Sequence, residues 1–148
     1  MSAGNVLGFP LGMGVAKFDS LQTMAAFSNQ YLYTHQGQGT AIYRITWYAC
    51  LTQAAAGGSP SSWIGGVNGF QVVYTPSEAG PTVTSPANPL ATGQYNTVGL
   101  TIGSGVVMCA VIPGSNIGFS FGYSSVGTTP AQYAIHVRVE YLDDIGPF

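Results

Sequence analysis

Residues Gln132 to Leu142, QYAIHVRVEYL, alternate without a break. Tyr133, Ile135, Val137, Val139 and Tyr141 fall on one parity; Gln132, Ala134, His136, Arg138 and Glu140 fall on the other. A period of two held over about ten residues is that of a long β-strand with one core face and one polar face. It predicts a central strand that the rest of the chain wraps. Thr40 to Thr52, TAIYRITWYACLT, is a second strand of this kind. Ala41, Tyr43, Ile45, Trp47, Ala49 and Leu51 share one face, and Ile42, Arg44, Thr46, Tyr48, Cys50 and Thr52 the other. Both faces are rich in apolar or aromatic residues, which predicts a strand covered on both sides, by the core and by another subunit.

The remaining segments are shorter. Val15 to Asp19 predicts a first short strand. Leu21 to Gln30 fits a helical turn through Leu21, Met24, Ala25 and Phe27 and also fits a strand end, with strand ahead. Trp63 to Val67 and Phe70 to Thr75 predict two strands joined at Asn68-Gly69, because Asn-Gly accepts the positive φ of a tight hairpin. Pro76 to Gly93 contains four prolines and predicts a long surface connection with an edge strand at Thr82 to Thr84. Tyr95 to Ile102, Val106 to Ile112 and Ile117 to Tyr123 predict further strands, turned at Gly103-Ser104-Gly105 and at Pro113 to Asn116. About eight strands with regular turn signals, and no long helix, predict a single-domain all-β sandwich or barrel over residues 15–148. Residues 1–14 have no period, yet carry Val6, Leu7, Phe9, Leu11 and Met13. They read as an extended arm that lays these side chains on its own domain or on a neighbouring subunit.

Composition changes the picture at the surface. Charged residues make up 5% of the 148 residues, where about 25% is usual. Hydrophobic residues stand at 46%, so the missing charges are replaced by Gly, Ser, Thr, Asn, Gln and Tyr. A neutral, hydrogen-bonding surface suits burial against other subunits, where charge is depleted; a monomer with a polar uncharged coat is the plainer alternative. Three basic residues and a net charge of −2 exclude binding to nucleic-acid phosphates. No apolar run is long enough to cross a membrane as a helix. The N-terminal segment lacks the basic and apolar regions of a signal peptide. Cys50 and Cys109 then read as reduced, buried thiols.

Candidate chemistry is sparse. Nucleophilic catalysis needs a nucleophile, a base and an orienting acid together. His136 on a strand reads as a satisfied or interface histidine, and His35 beside a Gly-Gln loop as a surface residue. Glu140, beside Arg138 on one face, reads as half of an ion pair across strands or subunits. Asp143-Asp144 reads as a solvated strand end rather than a calcium site. No cofactor or metal set emerges, and the chain does not read as an enzyme. The tyrosines leave carbohydrate stacking open, although aromatics at strand spacing are more often core.

Two stretches carry a resemblance: Gly39-Thr40-Ala41-Ile42-Tyr43-Arg44-Ile45-Thr46-Trp47-Tyr48, and the terminal Tyr133-Ala134-Ile135-His136-Val137-Arg138-Val139-Glu140-Tyr141. Together they resemble the small jelly-roll domains of tailed-phage particles and, more distantly, the trimeric jelly rolls of tumour necrosis factor and complement C1q. The likeness covers about a fifth of the chain and rests on structural motifs. It implies a jelly-roll topology and a homotrimer with the aromatic strand near its centre. The chain departs from the complement type and from most fibre heads in having no collagen stalk or coiled coil, which favours a stand-alone subunit on a particle. The expectation is therefore a virion structural protein, made in the host cytoplasm, that decorates or cements a capsid by contact with the major capsid protein or other virion subunits. Its interface residues would be Val6, Leu7, Phe9, Leu11, Met13, Tyr43, Arg44, Tyr48, His136, Arg138 and Glu140. The alternative is a receptor- or glycan-binding head of a tail fibre or spike.

Overall fold

The computed structural model describes residues 13–57, 62–76, 80–88 and 97–145. Eight strands follow in order: β1 (Met13–Thr23), β2 (Phe27–Thr34), β3 (Ala41–Gln53), β4 (Ser62–Tyr74), β5 (Val83–Thr84), β6 (Thr101–Val111), β7 (Asn116–Val126) and β8 (Gln132–Asp144). They form two four-stranded sheets of order β1-β8-β3-β6 and β2-β7-β4-β5. All pairings are antiparallel. Only β4 and β5 are neighbours both along the chain and within a sheet; the other partners (β1 with β8, β2 with β7, β3 with β6) nest outward from that pair. This is the winding of a jelly roll, an eight-stranded ribbon folded across two sheets.

The two sequences of strongest alternation become β3 and β8, adjacent at the middle of the first sheet. Their odd-numbered residues face inward: Tyr43, Ile45, Trp47, Leu51, Tyr133, Ile135, Val137 and Val139 are all buried. Phe70, Phe119 and Phe121 meet them from the second sheet. Trp47 stacks on Phe70 with ring centres 4.8 Å apart and planes at 8°. The indole N–H, an obligatory donor, is satisfied by Asn88 Oδ1 at 3.1 Å.

Three details differ from the alternation-based reading. The predicted hairpin at Asn68-Gly69 is one continuous strand. β4 passes from Gly65, opposite Tyr123, to Phe70, opposite Phe121, so it absorbs extra residues against β7. Gly69 sits at φ 60° within that bulge, which uses the same positive-φ tolerance that a turn would have used. The predicted turn at Gly103 to Gly105 is also strand: Gly103 and Gly105 pair with Ala49 and Trp47 in β6. A Cβ on Gly105 would lie 2.2 Å from Asn88 Oδ1 and 2.9 Å from Trp47 Nε1, so glycine here makes room for the indole's acceptor. The strand expected from Tyr95 begins at Thr101, after a turn over residues 97–100.

Of the proposed arm, Met13 and Gly14 belong to β1, opposite Tyr141 and Glu140. Val6, Leu7, Phe9 and Leu11 lie outside the described residues. Cys109 is buried and burial pushes its thiol up to about 12. Cys50, expected to be buried, is half-buried on the outer face. The two thiols are free and point to opposite sides of the sheet, which no disulfide can span.

Candidate functional site

The outer face of the sheet β1-β8-β3-β6 carries rows of side chains set by the strand register. One row runs Asp19, His136, Tyr48, Ser104; the next runs Lys17, Arg138, Thr46, Val106; the third places Glu140, Arg44 and Met108 side by side. Within these rows Arg44 holds Glu140 with two hydrogen bonds, Nη2 to Oε2 at 2.7 Å and Nε to Oε1 at 3.3 Å. Asp19 Oδ1 accepts from His136 Nδ1 at 2.7 Å and from Arg138 Nη1 at 2.9 Å. Those two bonds hold the Asp19 carboxyl below the usual carboxylate range. The Glu140 bond likewise keeps the Arg44 guanidinium more firmly protonated. His136 in turn stacks with Tyr48, planes at 22°.

Glu140 therefore finds its partner on the next strand, in Arg44. Arg138, its neighbour in sequence, turns the other way to Asp19 on β1. Five predicted interface residues (Arg44, Tyr48, His136, Arg138 and Glu140) do share this outer face. Tyr43 does not: it is 2% exposed and points between the sheets, because its parity on β3 is the core parity. Met13, at the start of β1, is exposed. Lys17, Asp19, Val106 and Met108 also belong to the face and were not singled out. The alternation of β1 gave Lys17 and Asp19 a common side, but not the strand they would meet.

Beside the ion pairs, toward the edge strand β6, the face is apolar. Val106 is 53% exposed and Met108 57%. The other sheet is different. Its strands β2, β4, β5 and β7 contain no Asp, Glu, Lys or Arg. On its outer side a cleft of about 370 Å3 is lined by Ser28, Gln71, Thr84 and Ser120, with Phe27 at its wall.

His35 is buried, not on the surface as its loop suggested. Its Nε2 lies 2.6 Å from the Gly39 carbonyl, so it must carry a proton. Its Nδ1 then accepts from the Tyr43 hydroxyl at 2.6 Å and from the Gly37 N–H at 3.4 Å. Both ring nitrogens are committed, and the imidazole is a structural pin for the β2–β3 loop. Burial first, and then the neighbouring Tyr33 and Tyr141 phenols, push the Tyr43 hydroxyl above its ordinary value and keep it a donor. Among the described residues no three His, Cys, Asp or Glu side chains converge as a metal set. No helix among the described residues is long and apolar enough to cross a membrane. No protein family, curated protein or solved structure matches the chain.

Proposed function

We propose that this chain is a structural subunit of a virion, a trimeric decoration or cement protein that stabilises the particle through its own N-terminal arm and uncharged surfaces. The observation that supports this is the division of charge between the two outer faces. Every charged side chain among the described residues belongs to one sheet, and four of them are paired with one another within the subunit. The described side chains of the second sheet carry no charge, and its outer face presents Ser28, Gln71, Thr84 and Ser120 together with exposed Tyr31. Burying an unpaired charge is costly, so faces with none, or with charges already neutralised, are the ones another chain can cover. The apolar strip of Tyr48, Val106 and Met108 is the part of the first face that gains from being covered. Three copies closing around an axis would bring the β6 edge of each against its neighbour, a heterologous contact that closes into a ring.

A second reading, a receptor- or glycan-binding head, draws on the cleft of Ser28, Gln71 and Thr84. Its neutral hydrogen-bonding groups suit a sugar's hydroxyls.

Light scattering on the purified protein separates the two. A species of three times the 15.3 kDa chain mass supports the structural subunit. A stable monomer at high concentration overturns it and moves attention to the cleft. Deleting residues 1–12 should leave the trimer folded and remove it from the particle; undiminished occupancy would refute the arm's role.

A further inference from the structure

A pocket of about 170 Å3 opens at one end of the sandwich, between the start of β1, the end of β2, the start of β3 and the end of β8. Tyr33, Tyr43 and Tyr141 line it, with Met13 and Val15 on the β1 side and Asp144 among the lining residues. Tyr43 lies between the other two phenols. Its ring centre is 5.8 Å from each, with planes at 55° to Tyr33 and 71° to Tyr141. The three rings are inclined to one another and not stacked; Tyr43, 2% exposed, forms the base of this corner, and the half-buried rings of Tyr33 and Tyr141 are its open walls. His35 holds Tyr43 in place through the hydroxyl, so the corner is fixed before any ligand arrives.

The charge around the pocket has one sign. Asp144 is the sole formally charged one of the described residues lining it. Among the described residues, Asp19 and Glu140 each hold a basic group, whereas Asp143 and Asp144 hold none. Burial first, and then the charge of Asp144, keep the Tyr141 phenol above its ordinary value, as burial does for Tyr43, so these two rings stay neutral at physiological pH. Neutral aromatic faces and a carboxylate with no basic partner among the described residues attract a cation. They offer few acceptors to replace the water around a metal ion or a primary ammonium.

We propose that this pocket binds a quaternary ammonium group of the choline type. Such a cation is weakly hydrated, presents methyl groups to aromatic faces, and needs no hydrogen-bond acceptor. The inference stands apart from the virion reading, since it uses the sandwich end and not the outer faces.

Choline chloride titrated into the full-length protein, followed by the NMR signals of the tyrosine rings, tests it. A saturable shift is expected, with affinity about tenfold weaker for the uncharged isostere in which carbon replaces the quaternary nitrogen. Phosphocholine should bind less well than choline, because its phosphate is repelled by Asp144. Phosphatidylcholine vesicles should for the same reason leave the protein in solution, and co-sedimentation with them would overturn this placement of the carboxylate. Asp144→Asn, at an exposed strand end, should weaken choline binding several-fold without altering the melting temperature. Tyr141→Leu should weaken it about tenfold. Equal affinity for choline and its isostere, or binding unchanged in both variants, would overturn the proposal.

Discussion

The two outer faces of this sandwich have been built to opposite rules. On the sheet β1-β8-β3-β6, charge is allowed and answered across strands: Arg44 by Glu140 and Asp19 by Arg138 and His136. On the sheet β2-β7-β4-β5 charge is absent, and Ser28, Ser120, Thr84 and Gln71 make up a neutral surface around the cleft. The contrast is instructive because both sheets share one core and have the same strand number, so the fold does not require it. Exposed cross-strand ion pairs add little to stability. Their clearer effect is to fix which residues stand opposite one another and to pair the charges of β3 and β8 nearest exposed Tyr48, Val106 and Met108, leaving Lys17 of this face without an ion pair among the described residues.

The comparison can be broken most severely at what the two faces share. Trp47→Ala removes the ring that stacks on Phe70, and should cost about 3–5 kcal/mol in urea unfolding while destabilising both sheets together. A milder version tests the support of that ring. Gly105→Ala displaces Asn88 from the indole N–H and leaves a buried donor unmatched. It should cost about 1–3 kcal/mol, and Asn88→Ala in the same background should add little further.

Alkaline pH acts on the interior and not on either face. The Cys109 thiol is raised from 9.0 to about 12 by burial. A raised folded pKa means that its contribution is complete below the unfolded value and is lost as pH rises. Stability should therefore fall above about pH 9, by up to about 1.4 kcal/mol per pH unit for this group, and Cys109→Ala should flatten that part of the slope. Acid acts on the charged face alone. Asp19 has a lowered folded pKa, so its contribution is present above the ordinary carboxylate value of 3.8 and is lost as pH falls through the folded value. The difference in melting temperature between wild type and Asp19→Asn should vanish at low pH.

The smallest effects on the single subunit should come from paired surface changes, Met108→Lys on one face and Ser120→Lys on the other. Each should shift unfolding by no more than about 0.5 kcal/mol. Their effect on native mass would differ: loss of the trimer with Met108→Lys alone assigns the subunit contact to the β6 edge. An unchanged trimer in both would remove that contact from the proposal.

Alternation alone was enough to place β3 and β8, because a period of two held over about ten residues of each admits no other reading. It gave the inward residues of β8 and the sandwich class, but on β3, where both parities are apolar or aromatic, it does not separate the core face from the outer one, and Tyr43 proves buried. Register was beyond it. Whether Glu140 meets Arg44 or Arg138 depends on how strands 96 residues apart slide past one another, and no local pattern encodes that. Glycines misled in both directions. Asn68-Gly69 and Gly103 to Gly105 have turn chemistry, but one serves a bulge and the other makes space beside Trp47. His35 carried a usable signal in Gly37, where a Cβ would stand 2.6 Å from the imidazole Cε1; a glycine two residues after a histidine leaves room for its ring to fold inward.

The nesting of strand pairs has a consequence for the order of events on the ribosome. Asp19 and His136, which touch in the finished sheet, are 117 positions apart, and β8 lies between β1 and β3. Until β8 has been synthesised, β1 and β3 have no common neighbour and the first sheet cannot close. Folding dominated by such distant pairings is slow. The half-made chain leaves the tunnel with the apolar edge of β3 unpaired on one side, a state open to chaperones and to sister chains. Translation rate, and not only the final sequence, thus becomes a determinant of how much of this protein reaches its native form.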